Sequence, residues 1–187
     1  LAIRYLALGD SYTIGTGASG TAHSWPSIIA ERLNAELTNP AVNGFTTLDL
    51  IREELPYVER IKPDLVTILI GVNDLVQGRT PDQYRDSLKH IYTLVGDLEV
   101  AAVSIPDWSF VPAAAEFGGQ DLVGRLTELF NKVARKEASA RGFQWIDITE
   151  VSRSGVGSPG WIASDQLHPG DAQYAAWAEV IWNRLKR

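Results

Sequence analysis

The chain has 187 residues, 45% of them hydrophobic and 21% charged, which is the length and balance of one globular domain spanning residues 1–187 with a substantial core. Lys and Arg number 17 against 23 Asp and Glu, a formal net charge of −6, so there is no electrostatic footprint for nucleic acid or an anionic membrane. Cysteine is absent, which excludes disulfides, thiolate metal sites and a cysteine nucleophile, and removes any redox clue to compartment.

The first eight residues, Leu1-Ala2-Ile3-Arg4-Tyr5-Leu6-Ala7-Leu8, lead too directly into Gly9-Asp10-Ser11 to be a signal peptide. Residues 3–8 read as a first strand. The numbering opens on Leu rather than Met, which is compatible with an initiator or leader removed beforehand; the expected location is the cytoplasm rather than outside the cell. Ser24 as N-cap, Pro26 in the first turn and the spacing of Trp25, Ile28, Ile29 and Leu33 predict a helix. A weaker strand follows over 37–42, then a helix over 48–60. Apolar runs at 65–70, 100–105 and 143–148 predict further buried strands. Helical spacing covers 82–95, 122–140 with Gly142 as its stop, and 171–185, where Tyr174, Trp177, Ala178, Ile181 and Leu185 share a face. Residues 106–119 are longer than a usual strand-to-helix connection and read as a lid or a mobile surface loop. No run of eighteen apolar residues occurs, so no membrane-spanning helix is expected.

Strand and helix alternate five times. That order predicts an α/β fold, a five-stranded parallel sheet in a three-layer, flavodoxin-like α/β/α arrangement, because right-handed crossovers leave few other solutions. Ligands in such sheets sit beyond the carboxyl ends of the strands, so the loops that follow each strand are where chemistry is expected.

Four of those positions hold reactive or donor groups. The first strand delivers Ser11 to the sheet edge; alone, a serine there reads as a turn or cap residue. Asp165-Gln166-Leu167-His168 sets a carboxylate three residues before an imidazole, a spacing that puts both side chains on one side of a helical turn. A carboxylate holding one ring nitrogen leaves the other free to take a proton from a serine hydroxyl. The plainer reading is a helix N-terminus capped by Asp165 or Ser164, and the two readings are compatible. Gly71-Val72-Asn73-Asp74 ends the third strand and aims the Asn73 amide at the cleft, while Asn43-Gly44 is either a plain turn or a source of one free amide proton. Acyl transfer needs donors directed at a developing oxyanion, and the backbone amides of Ser11 and Gly44 with the Asn73 side chain supply three.

Taken together, Gly9-Asp10-Ser11, Gly44, Gly71-Val72-Asn73-Asp74 and Asp165-Gln166-Leu167-His168 resemble, in order, the four blocks of the SGNH hydrolases, also called the GDSL esterase and lipase family. The resemblance spans residues 9–168. It implies a serine esterase with Ser11 as nucleophile and first oxyanion donor, Gly44 and Asn73 as the other donors, His168 as base and Asp165 as its partner. The substrate implied is a small-molecule ester, of short acyl or acetyl type, with carbohydrate O-acetyl esters and thioesters as the alternatives, and no cofactor or metal. Tyr12 departs from the leucine that usually follows the serine, at a position that is not catalytic in the family.

Competing signals are weaker. Gly15-Thr16-Gly17-Ala18-Ser19-Gly20 matches a dinucleotide fingerprint, the feature that favours a non-catalytic nucleotide- or ligand-binding protein, but it starts six residues after the strand and no acidic residue follows in 37–48 to hold a ribose. It reads better as a flexible rim over Ser11. His23 is the one rival base, and His90 reads as solvated surface. The three histidines form no metal-binding spacing. Trp108, Phe110 and Trp161 fall in segments that flank the cleft and are candidates for substrate contact, or for covering the edge of the core.

Overall fold

The computed structural model describes residues 1–185. In chain order its elements are β1 (Ile3–Gly9), α1 (Ser11–Ile14), α2 (Trp25–Leu33), β2 (Ala35–Thr38), α3 (Thr47–Asp49), α4 (Pro56–Ile61), β3 (Leu65–Leu69), α5 (Val72–Val76), α6 (Pro81–Leu94), β4 (Val100–Val103), α7 (Gln120–Ala140), β5 (Gln144–Ile146), α8 (Thr149–Ser154) and α9 (Asp171–Leu185). A π-helical turn, Leu50–Glu54, joins α3 to α4, and 3-10 turns lie at Thr21–His23 and Pro112–Phe117.

The strands form a parallel sheet in the order β2-β1-β3-β4-β5. From β1 the chain crosses to β2 in one direction, and from β3 onward it steps the other way. Right-handed crossovers therefore put α2 on one face and α6 and α7 on the other, with α9 joining α2 and α6 packing along α7. Tyr5, Leu6, Ala7 and Leu8 of β1, and every residue of β3, are buried. Burial on both faces is why these strands read as unbroken apolar runs instead of alternating ones. Trp25 of α2 and Trp177 of α9, both fully buried, fill the layer on their side of the sheet. The order reverses between β1 and β3, whose register runs from Tyr5↔Leu65 to Gly9↔Leu69, so the residues after both strands emerge side by side. That switch point is the place where an open α/β sheet offers a crevice.

The fold class follows the sequence; several boundaries do not. The second strand occupies Ala35–Thr38 rather than 37–42, because left-handed Asn34 turns the chain out of α2 straight into pairing with β1. Pro40, which has no N–H to give, lies beyond it. The single helix expected over 48–60 is three pieces: Pro56 has no amide proton and its ring crowds the preceding turn, and the chain widens into a π-turn ahead of it, with the Leu55 amide donating to the Leu50 carbonyl (3.0 Å). Helices α5 and α8 are too short to show a period in sequence. The 106–119 segment is not a free loop. Trp108 is buried, the Ile105 and Asp107 amides donate to Asn131 and Ser152, and the Ala113 amide donates to the Gln166 carbonyl. Among the described residues no helix is long and apolar enough to cross a membrane.

Candidate active site

Ser11 opens α1, directly after β1 and Asp10. Asp10 caps that short helix, accepting a hydrogen bond from the Tyr12 amide (3.0 Å), and left-handed Gly15 ends it. Trp25 Nε1–H donates to the Tyr12 carbonyl (2.9 Å) and Asn39 Nδ2–H to the Thr13 carbonyl (2.9 Å), so the turn that carries Ser11 is tied to α2 and to the chain after β2. Ser11 itself is 7% exposed.

His168 reaches Ser11 from the other end of the chain, with Nε2 3.2 Å from Oγ. Its Nδ1 lies 2.5 Å from Asp165 Oδ2. An acceptor-only carboxylate at Nδ1 fixes the tautomer in which Nδ1 carries the proton and Nε2 is the acceptor. The local conformation differs from the expected one: Asp165 is not in a helical turn and caps no helix. Gln166 is left-handed (φ 63°), and the other carboxylate oxygen, Oδ1, accepts from the backbone amides of Leu167 and His168 (both 2.9 Å). One carboxylate therefore shapes its own turn and holds the ring. Burial works against the charge of Asp165, but bonds from the His168 ring and the two amides prevail and hold its carboxyl below the ordinary range.

The three groups expected as donors follow strand β1, the chain after β2, and strand β3. Ser11 N–H sits at a helix start and Gly44 N–H in an exposed turn, and among the described residues neither has a hydrogen-bond partner. Gly44 has φ +83°, and nothing lies within 4 Å of where a Cβ would be. Asn73 spends one Nδ2 proton on the Phe45 carbonyl (2.9 Å), which pins the Gly44 turn and leaves its second amide proton available.

Close to these residues lie three buried acids, two of them within the motif blocks and one, Glu54, outside them. Asp74 is fully buried and accepts from Thr47 N (2.9 Å), Thr47 Oγ1 (2.6 Å) and Arg79 Nη1 (2.7 Å), linking the start of α3 to α5. Glu54, at the end of the π-turn, is fully buried and accepts from the Gly9 amide (2.9 Å). Burial, with repulsion from Asp10 and Asp49, pushes its carboxyl up to about 8; burial and Asp74 push Asp10 up to about 7. A lone Glu in a helical pattern normally marks the solvated face, so nothing in the sequence flags Glu54. The π-turn rotates it inward.

The remaining candidates are dispersed. Trp108 and Trp161 are buried and Phe110 is 42% exposed; with Tyr12, Val111, Leu167 and Pro169 they line a narrow apolar pocket beside the base loop. His90 is exposed, and His23 faces Asp171 (3.9 Å), so it is His168 that meets Ser11. Tyr12, in place of the usual leucine, packs edge-on against His168 and Trp177. Among the described residues, no group of three or more His, Asp or Glu is placed to hold a metal ion.

A flavodoxin-like sheet with a serine, an imidazole and a carboxylate in series at its switch point is an arrangement of the serine-hydrolase kind. The sequence pattern of the GDSL-like lipase/acylhydrolase family matches residues 7–176, and the chain belongs to that family of ester-cleaving hydrolases. It is similar to an arylesterase of Vibrio mimicus, 24% identical over 97% of this chain and 88% of that protein. Esterase TesA of Pseudomonas aeruginosa is 25% identical over 97% of this chain and 87% of its own length. The fold matches the crystal structure of phospholipase A1 from Streptomyces albidoflavus NA297 with a TM-score of 0.80, at 19% identity, over 98% of this chain and 100% of that one.

Proposed function

We propose that the protein hydrolyses short-chain carboxylic esters with Ser11 as nucleophile, His168 as general base and acid, Asp165 as the group that orients and charges-compensates the ring, and Ser11 N–H, Gly44 N–H and Asn73 Nδ2 as oxyanion donors. The observation that carries this reading is the unbroken relay Asp165 to His168 to Ser11, set among free amide donors at the switch point. Ser11 Oγ attacks the ester carbonyl as its proton passes to His168 Nε2, and the carbonyl oxygen takes the negative charge within reach of the three donors. Collapse of that intermediate expels the alcohol, which receives the proton from His168. Water then attacks the acyl-serine with His168 again as base, releasing the acid and restoring Ser11. The 3.2 Å separation is of the length found at resting sites that tighten around substrate.

Preference for a short acyl group rests on the surroundings. Trp108 and Trp161 are buried and line a narrow pocket beside the loop that carries His168, and Trp108 is held edge-on against Phe117 (ring centres 5.3 Å apart), so that wall has little room to move aside for a long chain. The curated relatives named as esterases support the same class of reaction. An acyl-length series of p-nitrophenyl esters, run beside acetylated xylan and an acyl-CoA, tests it. The expected result is a maximum at acetate or butyrate. A maximum at long chains would overturn the chain-length reading, and no ester cleavage at all would overturn the reaction.

A further inference from the structure

The glycine-rich segment 15–20, whose pattern resembles a nucleotide cradle, has a different place in the fold. Its first contact is with the nucleophile turn: Thr16 N–H donates to the Ser11 carbonyl (3.0 Å). From there Thr16 Oγ1 donates to the Asn43 side chain, next to Gly44, and the Thr16 carbonyl accepts from Tyr174 Oη of α9 (2.6 Å). Gly17 is left-handed (φ +96°) and lies against the base loop; a Cβ there would stand 2.3 Å from the Pro169 carbonyl oxygen and 3.0 Å from His168 Cβ. Ser19 closes the segment with two bonds to Asp171, from its amide to Oδ1 (2.8 Å) and from its hydroxyl to Oδ2 (2.5 Å). Asp171 opens α9, which Tyr174, Trp177 and Ile181 bury in the core. The Asp171 carboxylate occupies the Ser19 amide, one of the donors an anion cradle would present.

We propose that residues 15–20 are a strut, anchored by Asp171, that fixes the imidazole of His168 and the Asn43-Gly44 turn relative to Ser11, with Gly17 and Ser19 as positioning residues. The base loop is bonded within itself, Ala163 N–H to the His168 carbonyl (2.8 Å) and Gly170 N–H to the Trp161 carbonyl (2.9 Å), and on the side of the Ser11 turn the Tyr12 ring meets the imidazole while Gly17 carries the loop backbone. Proton transfer at Ser11 depends on holding that separation, and a misplacement of about 1 Å costs up to about 100-fold in rate. The strut rests on the reading of Ser11 and His168 as nucleophile and base.

The test uses Asp171→Ala, Asp171→Asn, Ser19→Ala and the double variant Ser19→Ala with Asp171→Ala, each assayed for p-nitrophenyl acetate hydrolysis, for the rate of labelling by a fluorophosphonate, and for melting temperature. Asparagine keeps both bonds to Ser19, one as acceptor and one as donor. Expected for Asp171→Ala are falls of about 10- to 100-fold in both kcat and labelling rate, with KM little changed and the protein still folded at assay temperature. Asp171→Asn recovers most of the rate, and the double variant is no slower than Asp171→Ala, because both changes break one tie. Wild-type rates in Asp171→Ala, a failure of Asp171→Asn to recover, or a loss that follows only the unfolded fraction would each overturn the strut. Peptide mapping separates this from the underlying reading: wild-type label on a residue other than Ser11 contradicts the nucleophile itself.

Discussion

At the scale of single residues, Asn73 uses one Nδ2 proton on the Phe45 carbonyl, and the other is the proposed oxyanion donor. Asn73→Ala is therefore expected to lower kcat by about 100- to 1,000-fold, as for loss of one oxyanion donor, and KM much less; steady-state kinetics on p-nitrophenyl acetate measure it, and an equal change confined to KM would contradict the role. Ser11, Asp165 and His168, which the fold brings together, stood out in the sequence with Gly44 and Asn73 as members of short motif blocks. The buried partners of Asp10 and Asp74, though both stand in those blocks, and the burial of Glu54 beside them did not. A buried acid has no periodicity of its own, and its partners, such as the Gly9 amide for Glu54 and Thr47 for Asp74, lie 45 and 27 residues away.

At the scale of elements, β1 and β3 were legible because both faces of the sheet are covered, whereas β2, an edge strand of four residues, was placed two residues late at its start and four at its end. The helix over 48–60 failed for a nameable reason, Pro56, and the π-turn ahead of it is what turns Glu54 toward β1. The base loop is a second case: Asp165 and His168 are three apart as on a helix, yet a left-handed Gln166 and two backbone bonds to one carboxylate build a tighter turn. Contact between α3 and α5 depends on Asp74. Removing its carboxylate in Asp74→Ala leaves Arg79, whose side chain is 19% exposed, with only the Thr47 and Ser87 hydroxyls at Nη1 and no opposite charge, and leaves the Thr47 amide unpaired. The expected cost is about 3–5 kcal/mol, the range for breaking one side of a buried pair. Urea unfolding of the variant checks this, and a loss below about 1 kcal/mol, typical of an exposed pair, would contradict it.

At the scale of the whole molecule, the flavodoxin-like order was legible from alternation and crossover handedness, and it explains why groups 157 residues apart meet. The same layering leaves two carboxyl groups, Asp10 and Glu54, raised to about 7 and about 8, behind Ser11. Their ordinary values are 3.8 and 4.5, so as pH rises the unfolded chain gives up these protons first and the native state keeps them. Stability must then fall from about pH 4 to about pH 8 and level off above it. The depressed carboxyl of Asp165 acts in the opposite sense, but only in acid, where its contribution is lost as pH falls through its lowered value. The urea midpoint is expected to be lower at pH 8 than at pH 5. Glu54→Gln, which can still accept from Gly9, is expected to shrink the difference, and a midpoint that rises over that interval would contradict the burial argument.

Ser11, held by His168 and Asp165 at the switch point, is the group proposed to attack the ester. Hydrolysis of p-nitrophenyl acetate by Ser11→Ala measures this directly: a loss of several orders of magnitude in kcat/KM with the fold intact is the expected result. Hydrolysis at the wild-type rate would contradict it.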